Sequence, residues 1–144
     1  KQEKDILLLS LFNVGTNPER ILINDIIGDN SQVVIPDRKN KLDYLSYIQR
    51  SKFNLCPEGN GPDTHRVWES LMLKSIPIMI KNNFSKQLTD YNIPILLIDD
   101  WDKLREVDKD KFNTFYENNS EKLETFNYEH FSYWENKFNQ YLDV

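Results

Sequence analysis

The chain has 144 residues, 28% of them charged and 12% aromatic, with a formal net charge of −5. A chain of this length buries about two-thirds of its unfolded surface and folds as one domain without staples. The acidic balance argues against a general binder of nucleic acid or anionic membrane, and a single cysteine rules out an internal disulfide and a thiolate zinc cluster.

Asp5 to Phe12 is a near-continuous apolar run, the pattern of a strand covered on both faces. Gly15-Thr16-Asn17-Pro18 then opens a helix that runs through Ile27. Gln32 to Ile35 reads as a short second strand, and Leu42 to Arg50 as a helix with Leu42, Leu45 and Ile48 on one stripe. Lys52 to Cys56 is the third strand. It ends in the loop Pro57-Glu58-Gly59-Asn60-Gly61-Pro62, after which a helix starts at Asp63 or Thr64. Ile76 to Ile80 and Pro94 to Ile98 supply the fourth and fifth strands. Strands alternating with helical patterns predict an α/β fold, a Rossmann-like parallel sheet flanked by helices, with residues 1–144 as one domain.

From Trp101 onward the chain turns helical, acidic and rich in aromatics. Phe131, Trp134, Phe138 and Tyr141 fall at i, i+3, i+7 and i+10, one face of a helix. Such a stripe packs on the sheet or docks on another domain. No apolar stretch reaches the length of a membrane span, and no signal peptide precedes Asp5. With Lys1 rather than Met in first place, the expectation is a segment of a longer protein, in the cytoplasm for a bacterial or viral source.

The strand, loop, helix and strand of residues 51–80 form the most informative block, because open α/β sheets bind ligands beyond the carboxyl ends of their strands. Ser51, Phe53, Cys56, Pro57, Gly59, Arg66, Glu69, Leu71, Ile76, Pro77 and Ile78 together resemble the donor-binding segment of exostosin-like glycosyltransferases and, more loosely, of α-1,3-fucosyltransferases. The clear similarity covers roughly residues 44–100. It departs at Glu58, where relatives commonly carry a basic residue, and at Lys74-Ser75, where they carry small ones. The resemblance implies the C-terminal half of a GT-B enzyme with a second, N-terminal Rossmann-like half. It also implies a UDP- or GDP-sugar donor, a glycan acceptor and a catalytic base that lies on the other half, while the strand-loop-helix pattern and the lack of a metal-ligating cluster in the sequence predict no cofactor or metal requirement. On that account the fragment alone binds donor without transferring it.

Within the block, Arg66 and Glu69 lie three apart and share a helix face. The functional reading sends Arg66 to the donor diphosphate and Glu69 to ribose hydroxyls. The structural one is an ordinary ion pair worth about 0.2–0.5 kcal/mol. Gly59, Asn60 and Gly61 form a loop able to take positive φ and present amides to phosphate, or a simple turn. Asp63 and Thr64 suit a helix cap, with Asp63 also an acceptor for sugar hydroxyls. His65, Asp63 and Glu58 are the weak candidates for a base within this chain. Cys56 reads as a small buried hydrophobe, and Trp68 and Leu71 as core. Asp100 and Asp102 have the Asp-x-Asp form of a GT-A metal motif, but the cap of a following helix explains them better. The alternative to an enzyme is a non-catalytic interaction module on the same scaffold, because fold does not fix function.

Overall fold

The computed structural model describes residues 3–12, 18–28, 30–37, 40–57 and 64–126. They build a five-stranded, wholly parallel sheet of order β2-β1-β3-β4-β5, with strands Ile6–Leu9, Val33–Val34, Ser51–Leu55, Ile76–Ile80 and Leu96–Ile98 numbered in chain order. The connecting helices are α1 (Pro18–Ile27), α2 (Lys41–Arg50), α3 (Thr64–Met72) and α4 (Asn83–Asp90). A 3₁₀ turn (Trp101–Leu104) and helices α5 (Lys109–Asn118) and α6 (Ser120–Thr125) follow. The Rossmann-like expectation holds, and all five strands appear where the apolar runs place them.

Parallel strands are covered on both faces, which is why β1 and β4 are apolar throughout and β3 is largely buried along its length. Successive residues of β3 show the two layers. Phe53 is fully buried, its ring 5.2 Å from Phe112 and 6.1 Å from Tyr116 of α5. The next residue, Asn54, points the other way and donates to Ser70 Oγ of α3 at 2.9 Å. Trp68 of α3 is core as expected, stacked on Phe126 at 6.0 Å, and Leu71 and Cys56 are buried as well.

Two details correct the sequence reading. On α2, Leu42 is 79% exposed, and the inward side is Tyr44, Tyr47 and Ile48, which join Ile6 and Leu9. Of the aliphatic stripe 42–45–48, Ile48 is buried and Leu42 is not, the rest of the inward side being tyrosines, which cover the sheet with their rings while keeping their hydroxyls near polar partners. The helix α4 was not assigned from sequence at all. Its apolar face is short, Leu88 fully buried with Phe84 packed on the same core, and its start is fixed by a capping box in which Asn82 and Ser85 exchange side-chain and backbone bonds at 2.9 Å. The aromatic stripe 131–141 lies outside the described residues.

At the amino-terminal edge of the sheet is a cavity of about 690 Å³ whose lining includes Lys4, Lys52, Lys74, Tyr116 and Glu124. Its lysines already have partners. Lys4 Nζ donates to the carbonyls of Gln49 (2.5 Å) and Leu73 (2.7 Å), Lys52 Nζ donates to Asn113 Oδ1 (2.7 Å), and Lys74 Nζ donates to the Phe126 carbonyl (2.7 Å). Burial pushes the Lys4 ammonium down to about 8, with the charge of Glu124 opposing. A neutral amine still supplies two N–H donors for two carbonyls. Between pH 8 and the ordinary value of 10.5 the folded chain therefore holds fewer protons at this site than the unfolded one, so the Lys4 contribution to stability rises with pH across that window. Urea unfolding of wild type and Lys4→Met at pH 7, 8.5 and 10 checks this, with the difference expected to shift in favour of wild type as pH rises. A constant difference would refute it.

Candidate functional site

The strand order reverses direction between β1 and β3. The chain leaves β1 toward β2 on one side and leaves β3 toward β4 on the other, so the crevice between their carboxyl ends is the switch point where open α/β sheets take ligands. Two helices start at this edge, α1 after β1 and α3 after β3. Pro18 opens α1, its fixed φ and missing N–H being harmless at a first helical position. Thr64 opens α3, so the helix begins where the sequence places it.

Each of these helices carries an arginine at its third residue, and the two cross the seam in opposite directions. Arg20 of α1 is 3% exposed, and its Nη2 lies 3.5 Å from the Pro57 carbonyl beyond β3. Arg66 of α3 donates from Nη1 to the Leu11 carbonyl beyond β1. Both guanidiniums also sit over aromatic rings, Arg20 at 5.3 Å from Phe12 and Arg66 at 5.5 Å from Tyr44. Such stacking orients the planar fork without consuming its N–H donors. The seam thus has two cations and two helix N-termini around it, in a protein that is acidic overall.

Glu69 lies one turn along α3 from Arg66. Among the described residues no ion pair joins the two, which disposes of the intrahelical pairing as the account of their spacing. Glu69 instead reaches α2, where Lys41 Nζ is 2.5 Å from Oε2 and the Tyr44 hydroxyl 3.4 Å from Oε1. Lys41 is 68% exposed and Glu69 23%, so the pair lies at the surface, where such contacts contribute little to stability. His65 is exposed on the first turn of α3. Glu58, Gly59, Asn60, Gly61 and Asp63 lie outside the described residues, as does the side chain of Thr64.

Neither aspartate of the Asp-x-Asp segment caps as expected. Asp100 occupies the N-cap position of the 3₁₀ turn but makes no side-chain capping bond, and Asp102 Oδ1 accepts from Arg105 Nε at 2.8 Å. The turn is held instead by Trp101, buried and donating from Nε1 to Glu19 of α1 at 2.7 Å. Among the described residues no cluster of three or more His, Cys, Asp or Glu side chains could hold a metal ion, and no helix is long and apolar enough to cross a membrane.

Sequence reasoning missed Arg20, Lys41 and Tyr44. Arg20 had a usable signal, since it stands three residues into a helix opened by Pro18, as Arg66 stands three into its own. Lys41 and Tyr44 had none, because their relevance comes from α2 packing beside α3. None of the curated proteins searched matches the chain. Residues 22–143 match the RXYLT1 C-terminal domain, most of the chain, including α1 from its fifth residue on, the α2–α3 cluster and the β3–α3 side of the seam, but not β1, Leu11 or Arg20. The chain therefore belongs to the RXYLT1 C-terminal domain family, a xylosyltransferase-type family of glycosyltransferase-related domains.

Proposed function

We propose that this chain binds the diphosphate of a nucleotide sugar at the β1–β3 seam and serves as the donor-binding half of a GT-B, exostosin-like glycosyltransferase. The observation that carries the reading is the pair of arginines, Arg20 and Arg66, crossing between the strand ends with Glu69 one turn away. Guanidinium forks match phosphate oxygens, and a carboxylate one turn along the helix matches ribose hydroxyls. During transfer the bond from the anomeric carbon to the diphosphate breaks, and negative charge grows on the leaving group. Cations and amide donors already held in place stabilise that charge without reorganising. Gly59, Asn60, Gly61, Asp63 and Thr64 are assigned as further donor contacts from the loop and the helix start, and the acceptor is a glycan.

The test is calorimetric titration of the chain with UDP, GDP and a panel of their sugars, headed by UDP-xylose because the family is xylosyltransferase-type. Each ligand is run with EDTA and with Mn²⁺. Binding in EDTA is expected, and NMR titration of the same chain should show amide shifts centred on Arg66 and Leu11. Strict dependence on Mn²⁺, abolished by Asp100→Asn or Asp102→Asn, would overturn the assignment in favour of a metal-held diphosphate.

A further inference from the structure

Tyr44 touches both residues to which the donor contacts are assigned. Its ring centroid lies 5.5 Å from Arg66 Cζ, and its hydroxyl lies 3.4 Å from Glu69 Oε1. The ring is anchored from below, since Tyr44 packs against the cluster of Ile6, Leu9 and Ile48 on the α2 side of the sheet. Lys41 contacts the same ring at 5.2 Å and the other oxygen of Glu69, but from an exposed stem. Tyr44 is both seated in the fold and in contact with the two assigned groups.

We propose that Tyr44 is a positioning residue for the nucleotide. Its ring sets the plane of the Arg66 guanidinium, and its hydroxyl holds one Glu69 oxygen so that the carboxylate faces the ribose. The two duties separate chemically. An aromatic face orients a guanidinium whether or not the ring carries a hydroxyl, whereas the carboxylate needs the O–H donor. The inference rests on the donor-binding reading and deepens it, so the experiment keeps the failures of the two apart.

The experiment measures affinities of UDP, uridine and pyrophosphate for wild type, Tyr44→Phe, Tyr44→Leu, Arg66→Ala and Glu69→Ala, with guanosine counterparts if wild type prefers GDP. Tyr44→Phe is expected to weaken uridine about three- to tenfold, the size of one net hydrogen bond, and to leave pyrophosphate unchanged. Tyr44→Leu is expected to weaken pyrophosphate as well. If both Tyr44 variants bind all three probes like wild type while Arg66→Ala and Glu69→Ala lose affinity, the inference falls and the donor reading stands. An equal loss for all three probes in Tyr44→Phe also overturns it, because a merely structural role would move them together. If wild type binds none of the probes, both fall.

Discussion

Replacing Phe53 by alanine is expected to destabilise the fold by about 3–5 kcal/mol, measured by urea unfolding of the chain. The side chain is fully buried at the centre of β3, between β1 and β4, and its ring meets Phe112 edge-on at 5.2 Å and Phe115 at 6.2 Å. The loss combines the transfer term of the removed ring with the void left among strands too constrained to collapse into it. Phe53→Leu should cost clearly less, since it keeps most of the volume and loses chiefly the ring contacts. A loss below about 1 kcal/mol for Phe53→Ala would mean that α5 is not seated on the sheet as described.

Arg66→Ala is expected to weaken nucleoside diphosphates by about 1.5–3 kcal/mol, the usual worth of a hydrogen bond to a charged group and about 10- to 150-fold in Kd. The bare nucleoside should be nearly unaffected. Glu69→Ala should weaken diphosphate and nucleoside alike, because the ribose is common to both. The unfolding midpoint of Glu69→Ala should stay close to wild type, since the Lys41 partnership it removes is exposed. Calorimetry with UDP and uridine distinguishes these patterns. Equal, negligible effects in both variants with the fold intact would reduce Glu69 to a surface salt bridge and Arg66 to a strut on the Leu11 carbonyl.

Strand positions were legible in the sequence because a parallel sheet buried on both faces demands uninterrupted apolar runs, and Ile76–Ile80 is such a run from end to end. Elements with short or aromatic apolar faces were not. The apolar face of α4 is Phe84 and Leu88 behind a polar start at the Asn82–Ser85 box, and the inward face of α2 includes tyrosines that hydropathy underrates. The site divides in the same way. Arg66 and Glu69 were visible as a local spacing on one helix, whereas Arg20, Lys41 and Tyr44 join them only through tertiary contacts spanning 25 to 37 residues of sequence or through helix packing. The Arg66–Tyr44 stacking and the Lys41–Glu69 pair exist because α2 and α3 lie side by side, which no single-segment pattern encodes.

Lys74, at the turn between α3 and β4, has φ of 64°, a left-handed conformation that glycine accepts more easily than lysine. In this chain the same residue clasps the carbonyls of Leu123 and Phe126 with its ammonium and accepts the Tyr116 hydroxyl at its own carbonyl. One left-handed position thereby ties α5 and the end of α6 to the α3–β4 turn, so amide exchange in α6 is expected to rise together with that of the turn when Lys74 is replaced by Met.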